Sequence, residues 1–206
     1  MKEETLSVVL NMKRSLSLPF LLMLAFSLSN TLLNTQAALA AEETIDGKVF
    51  HIGKTIANAS PEQVFYVLTD YANSTKLFSN LKHSSVVASS VEDSTTTTTT
   101  TTDVSFSLKG MANIWNFDYV LRMTETFPSR IDFRRLSGAF KANEGYWKIE
   151  PLDGSGKRTL VSYYKYIDGG MIPQSMINRQ LKEAMPAVMA NVKAGAEARA
   201  LQVSLK

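Results

Sequence analysis

The last part of the chain carries an apolar stripe with a helical period, and this stripe follows a long series of strand-like segments. Apolar residues recur at spacings of three and four through residues 177–200, which is typical of one face of an amphipathic helix. Pro173 stands at the start of the pattern and Pro186 within it, and an internal proline removes one helical hydrogen bond. We therefore expect one bent helix over about 173–203, or two segments that meet near Met185. A helix of this kind must bury its stripe against the preceding sheet.

The segments before this helix predict a sheet with two short helices inserted after its first strand. Ser60 can cap a helix, Pro61 fits the first helical position, and Gln63 lies three residues after the cap. A second short helix is expected over 74–79. Strand patterns cover seven ranges: 44–57, 84–91, 95–108, 112–126, 130–137, 144–150 and 157–168. Short turns join these strands, so the sheet is expected to be antiparallel and the fold class α+β.

A run of eight threonines, Thr95–Thr102, admits two interpretations. Low-complexity threonine can form a disordered linker. However, threonine is β-branched, and the run continues directly into the alternating Val104, Phe106 and Leu108. We favour a strand.

The N-terminal 41 residues are predicted to be a secretory signal peptide. The positive pair Lys13-Arg14 precedes an apolar core over Leu16–Leu28, and Ala38-Leu39-Ala40 fits the small-residue cleavage rule. The expected cleavage follows Ala40, which leaves one domain over 42–206.

Two features of this segment leave alternatives open. Glu3 and Glu4 precede the positive pair, so translation begins either at Met1 or at Met12. A retained membrane anchor is the other interpretation, but Pro19 and several polar residues interrupt the apolar run. We expect export, and of the bacterial and eukaryotic routes we favour the bacterial one, to the periplasm.

Composition excludes several classes of function. The 206 residues include 22 basic and 19 acidic side chains, a net charge of +3, which is a poor signal for nucleic-acid binding. Cysteine is absent from the sequence, so disulfide scaffolds, cysteine nucleophiles and cysteine-ligated metals are excluded. The two histidines, His51 and His83, have no identifiable orienting partner for general-base work. The sequence therefore predicts no catalytic residue, no metal and no cofactor.

Four local patterns, in order, resemble those of a known superfamily. They are Ala59–Tyr71 (ASPEQVFYVLTDY), Phe140–Pro151 (FKANEGYWKIEP), Thr159–Tyr163 (TLVSY) and Leu181–Glu197 (LKEAMPAVMANVKAGAE). The chain resembles the START-like (SRPBCC) superfamily, and within it the polyketide cyclase/dehydrase and lipid transport group. The resemblance implies the helix-grip fold, a curved antiparallel sheet of about seven strands wrapped around a long C-terminal helix, with a cavity between them.

Alternation along the strands, taken together with the implied cavity, selects candidate ligand-binding residues. They are Phe106, Leu108, Trp115, Phe117, Tyr119, Leu121, Trp147, Tyr163, Met171, Ile172, Met176, Ile177 and Met185. The alternative is that these residues only fill a core. Arg134, Arg135 or Lys165 could meet a polar ligand head such as a carboxylate or phosphate, although solvated charges are the more ordinary interpretation.

The first functional hypothesis is an exported, non-catalytic protein that binds or carries a lipid, fatty acid, isoprenoid or quinone. The expected partner is a hydrophobic small molecule, and we expect no binding to nucleic acid. A transient contact with a membrane is compatible with this role. The second hypothesis is a cyclase or dehydratase that acts on a polyketide-like substrate in the same cavity, and the third is an interaction module for an envelope protein. The sequence favours the first, because no acid or base stands out.

Overall fold

A computed structural model describes residues 39–93, 98–110 and 116–205. The strands are β1 Leu39–Ile45, β2 Lys48–Ala57, β3 Leu81–Asp93, β4 Thr98–Lys109, β5 Asn116–Thr126, β6 Arg130–Gly138, β7 Ala142–Pro151 and β8 Thr159–Asp168. The helices are α1 Pro61–Leu68, a 3-10 helix Tyr71–Lys76 and α2 Gln174–Ser204. The strands form one antiparallel sheet in the order β1-β2-β8-β7-β6-β5-β4-β3. The predicted α+β class and helix-grip arrangement are confirmed.

The described sheet has eight strands rather than about seven, because the N-terminal segment forms a hairpin. Asp46 and Gly47 separate β1 from β2, with φ angles of 49° and 74°. An Asp-Gly pair with two positive φ angles matches the two-residue turn that joins tightly paired strands. The prediction of a single strand over 44–57 was therefore wrong, since Asp-Gly is a hairpin signal.

β1 also bears on the predicted signal peptide. It begins at Leu39 and pairs along its whole length with β2, so the expected cleavage after Ala40 would fall inside this strand. Residues 1–38 lie outside the described residues, and the signal peptide stays a prediction.

The start of α1 follows from its capping residues. The backbone N–H of Gln63 donates to the Ser60 hydroxyl at 3.4 Å, and the backbone N–H of Ser60 donates to the Gln63 amide oxygen at 2.8 Å. This reciprocal pair satisfies two N–H groups that the first turn leaves free. The predicted helix start is confirmed, whereas the second short helix is a 3-10 helix that begins at Tyr71 rather than 74.

The C-terminal stripe forms a single continuous helix, α2, with Pro186 inside it. Its most buried side chains recur on one face: Met185, Val188, Met189, Val192 and Ala196. This face packs on β2, where a Cβ at Gly53 would lie 2.7 Å from the Met185 sulfur. A residue with a side chain at position 53 would push the helix away, so Gly53 sets how closely α2 approaches the sheet.

The threonine run confirms its strand interpretation where it is described. Thr98–Thr102 belong to β4, and Thr102 is buried on the inner face. Thr95–Thr97 lie outside the described residues. No helix in the described ranges has the length and apolarity needed to span a membrane.

Candidate ligand cavity

A cavity of about 120 Å³ lies between α2 and the inner face of the sheet. One wall comes from α1, the 3-10 helix and the segment after it, and the other walls come from β4–β8 and α2. The lining residues are Leu68, Tyr71, Ser74, Leu77, Phe78, Asn80, Leu81, Phe106, Leu108, Tyr119, Leu121, Met123, Phe133, Trp147, Tyr163, Lys165, Ile167, Leu181, Ala184, Met185 and Val188. Most of them are aliphatic or aromatic, which is the usual composition of a site for an apolar ligand.

Stacked aromatic rings build the sheet side of the cavity. Trp147 and Tyr163 lie opposite each other on β7 and β8, with ring centroids 3.8 Å apart and planes 5° apart. Phe106 and Tyr119 stack in the same manner on β4 and β5, at 5.5 Å. Direct cross-strand pairing therefore sets the positions of these rings relative to one another.

The volume of the cavity sets the size of the ligand that it accepts without rearrangement. An engineered apolar cavity of roughly 150 Å³ accommodates one benzene molecule. A cavity of about 120 Å³ is therefore matched to a ring or to a short chain. A larger ligand requires outward movement of flexible side chains on α2, such as Leu181 and Met185.

Three tyrosines place hydroxyl groups around this apolar space. The Tyr71 hydroxyl donates to the Glu125 carboxylate at 2.8 Å, and both side chains are buried. Burial raises the pKa of Tyr71, and the neighbouring Glu125 raises it further. Burial also raises the pKa of Tyr119 and of Tyr163. All three hydroxyls are therefore protonated at neutral pH, and they can donate hydrogen bonds but cannot act as anionic bases.

Lys165 is the one lining residue with a formal charge among the described residues. It lies on the inner face of β8 between Tyr163 and Ile167, and only 9% of it is exposed. Its ammonium nitrogen lies 4.7 Å from the centroid of the Phe133 ring. Burial lowers the pKa of Lys165 to about 7, because the interior solvates the cation less well than water does.

The predicted site residues occupy three kinds of position. Those that line the cavity are Phe106, Leu108, Tyr119, Leu121, Trp147, Tyr163 and Met185. Phe117, Ile172 and Ile177 pack against the core without lining the cavity, and Met176 is partly exposed. Met171 is fully exposed, because it follows Gly169-Gly170 in the loop before α2, so it does not belong to the wall. Trp115 lies outside the described residues.

Several lining residues were not among the sequence candidates. Met123 follows Leu121 on the inward face of β5, so extending that pattern by two residues would have identified it. Phe133 lies on the buried face of β6, a strand from which no candidate was selected, and the alternation of Ile131 and Phe133 was its signal. Leu77, Phe78 and Asn80 follow the 3-10 helix in an irregular segment. An irregular segment has no fixed side-chain period, so the sequence carried no comparable signal for them.

Two acidic residues of β5 and the two histidines lie on different faces or different strands of the sheet. Asp118 lies on the exposed face of β5 and Glu125 on the buried face, so these two carboxylates do not meet. His51 is buried, whereas His83 is exposed. Within the described ranges, no three His, Asp or Glu side chains come together as a metal site.

The fold and the cavity together define a class of protein: a curved antiparallel sheet that grips a long helix around a small apolar chamber. The family model for polyketide cyclase / dehydrase and lipid transport matches residues 57–192, which is most of the described domain. The chain belongs to this family.

Solved structures share the fold at low sequence identity. A STAR-related lipid transfer protein from Xanthomonas axonopodis is 16% identical, with a TM-score of 0.58, and the match covers 79% of this chain and 95% of that one. The lipid transfer and protein localization domain of human StarD13 is 17% identical, with a TM-score of 0.58 and coverage of 78% and 85%. An 18 kDa protein from Caulobacter crescentus is 19% identical, with a TM-score of 0.55 and coverage of 76% and 99%. Among curated proteins, none matches this chain in sequence.

Proposed function

We propose that this protein is a non-catalytic binder or carrier of a hydrophobic small molecule, which it holds between α2 and the inner face of the sheet. The observation that carries the proposal is the aromatic-walled cavity of about 120 Å³. Close-packed interiors leave few voids larger than a water molecule, so a chamber of this size inside a small domain needs an explanation. Membership of a family that includes lipid transport proteins supports the same conclusion.

Apolar burial supplies the affinity in this proposal. Each Å² of ligand surface removed from water contributes about 25 cal/mol, and the cavity presents rings and aliphatic side chains to the ligand. The tyrosine hydroxyls cannot serve as anionic bases, because their pKa values are raised, and the Tyr71 proton is already donated to Glu125. Binding therefore needs no cofactor.

A cavity-filling substitution tests this function. Ala184 lines the cavity from α2, so the ring of an Ala184→Phe variant would occupy the ligand's space. We expect the Kd for 1-octanol, a neutral single-chain ligand, to rise at least about tenfold, which is a loss of about 1.4 kcal/mol. Intrinsic tryptophan fluorescence, to which Trp147 of the cavity wall contributes, reports the binding.

Ala187→Phe is the matched control, because Ala187 lies on the exposed face of the same helix. This variant should bind 1-octanol with a Kd within about twofold of the wild type. Unchanged binding by a folded Ala184→Phe variant would contradict the proposed location. Organic extraction of the purified wild type, followed by mass spectrometry, identifies whichever apolar molecule co-purifies.

We also propose that the protein is exported to the bacterial periplasm after removal of its N-terminal segment. The support is the order of a positive pair, an apolar core and small residues before Ala41. Expression of the full chain in a Gram-negative host should give a periplasmic product shortened by about forty residues. A full-length product that stays with the membrane or cytoplasmic fraction would contradict export.

A further inference from the structure

A cation with no ion-pair partner among the described residues lines the cavity from the inner face of the sheet. Lys165 forms no ion pair with any described carboxylate. Its pKa is lowered by burial alone, with no acidic neighbour to oppose the shift. A buried charge is normally paired or neutralised, so among the described residues this group lacks its usual partner.

The strand register shows how the lysine reaches into the cavity. Phe133, Gly145, Lys165 and His51 are consecutive cross-strand neighbours on β6, β7, β8 and β2. A Cβ at Gly145 would lie 2.7 Å from the Phe133 ring, so the absence of a side chain there leaves room between the lysine and the ring. The Lys165 ammonium lies over that ring, and the ring face is a weak substitute for an anion.

Other polar groups on the same face also lack partners within the described residues. Both polar atoms of the Asn143 amide are buried without a hydrogen bond, and so is the His51 Nε2 atom. The Arg135 Nε atom is also buried without one, although another nitrogen of the same guanidinium donates to the Gly138 carbonyl oxygen at 2.7 Å. Asn143 lies two residues before Gly145 on β7, and His51 lies directly opposite Lys165. Buried polar groups in native proteins are almost always satisfied, so these atoms point to a polar partner outside the described residues.

We propose that Lys165 anchors the head group of the cavity's ligand, and that this ligand is a monocarboxylic acid with a small apolar body. The inference rests on the proposed function. One cation balances one negative charge, which favours a carboxylate over a phosphate that carries up to two. The cavity of about 120 Å³ accepts the apolar body, and the ammonium forms a charge-assisted hydrogen bond with the carboxylate.

Proton uptake follows from this arrangement. With a pKa of about 7 in the free protein, Lys165 is largely neutral at pH 8–9 and must gain a proton when an anion binds. The affinity for a carboxylate is therefore nearly constant below pH 7 and falls about tenfold for each pH unit above it.

The titratable and charged groups around Lys165 are few in the described structure. His51 faces it from β2, with Glu42 of β1 3.5 Å from the other imidazole nitrogen. Arg135 lies on the inward face of β6, and Lys182 of α2 shares a small surface pocket with His51. Tyr163, on the same strand, stays neutral because its pKa is raised.

The test compares octanoate, 1-octanol and octyl phosphate from pH 6 to pH 9, with Trp147 fluorescence or calorimetry as the readout. Octanoate should bind wild type at least about tenfold more tightly than 1-octanol at pH 6.5, and this preference should disappear at pH 9. Lys165→Met should abolish both the preference and the pH slope while retaining 1-octanol binding. Lys54→Met removes the same charge from an exposed position and should behave as the wild type.

The other outcomes distinguish the two proposals. Equal affinity for octanoate and 1-octanol without a pH slope overturns the carboxylate anchor and leaves the proposed cavity function intact. Tighter binding of octyl phosphate than of octanoate overturns the assignment of a monocarboxylate. If neither octanoate nor 1-octanol binds, both this inference and the proposed function fail.

Discussion

The Gly145→Ala variant is expected to melt about 8–16 °C below the wild type, which corresponds to a loss of about 4 kcal/mol in the free energy of unfolding. A Cβ at this position would lie 1.9 Å from the Tyr164 carbonyl oxygen and 2.7 Å from the Phe133 ring, and φ is 156°. The first contact is with backbone of the adjacent strand, so no side-chain rotation relieves it. Thermal denaturation followed by circular dichroism gives the melting temperature.

Gly154→Ala is the control for this prediction. No atom lies within 4 Å of the Cβ that would be added there, and Gly154 belongs to the exposed connector between β7 and β8. Its melting temperature should stay within about 2 °C of the wild type. Equal melting of Gly145→Ala and Gly154→Ala would show that β7 and β8 are not packed as described.

The Lys165→Met variant is expected to be more stable than the wild type at pH 6, by about 2–4 kcal/mol. The pKa of Lys165 is lowered from 10.5 to about 7 by burial, so the folded state holds the ammonium less favourably than the unfolded state does. Methionine keeps a long unbranched chain and removes the charge. The corresponding rise in Tm is about 4–16 °C.

The difference in the free energy of unfolding between Lys165→Met and the wild type should depend on pH. Between pH 7 and pH 10 the unfolded chain binds a proton at this lysine that the folded protein has released, so the wild type gains stability as the pH rises. The advantage of Lys165→Met is therefore full below pH 7 and shrinks toward zero near the ordinary lysine pKa. Denaturant unfolding at pH 6, 8 and 9.5 measures it, with Lys54→Met as the control. A Lys165→Met variant that is less stable than wild type at pH 6 would contradict the buried, unpaired state of this lysine.

Local sequence signals predicted much of the fold, because the physics behind them is short-range. The reciprocal hydrogen bonds of Ser60 and Gln63 depend on residues three apart, and the stripe of α2 depends on a fixed helical period. The β1–β2 turn is equally local, because Asp46-Gly47 is a two-residue hairpin signal that lies inside the single strand predicted over 44–57.

For the candidate site, the sequence indicated which side chains point inward but not how far apart the facing side chains lie. Strand alternation correctly assigned Tyr119, Trp147 and Tyr163 to inward faces, but it does not determine whether facing side chains meet or leave a space. Whether a space remains depends on how closely α2 approaches the sheet. Gly53 sets this distance through its contact with Met185 and Met189, which lie far from it in sequence. The existence of a cavity was therefore inferred from the family resemblance, and its volume could come only from the three-dimensional structure.

Lys165 shows the same division between local and long-range information. Its inward direction follows from its position two residues after Tyr163. Its lack of an ion-pair partner among the described residues reflects its neighbours on two other strands, Gly145 and Phe133, neither of which is acidic. No pattern within β8 alone could have indicated that this charge is unpaired.

The most direct test of an apolar ligand site under α2 is the NMR response of labelled methionine methyl groups to 1-octanol. Met123 and Met185 line the cavity, whereas Met171 is fully exposed to solvent. A saturable titration should shift the Met123 and Met185 signals together, with one Kd, and leave the Met171 signal in place. If Met123 and Met185 stay unchanged at saturating 1-octanol, or if only Met171 responds, the ligand does not enter the space between the helix and the sheet.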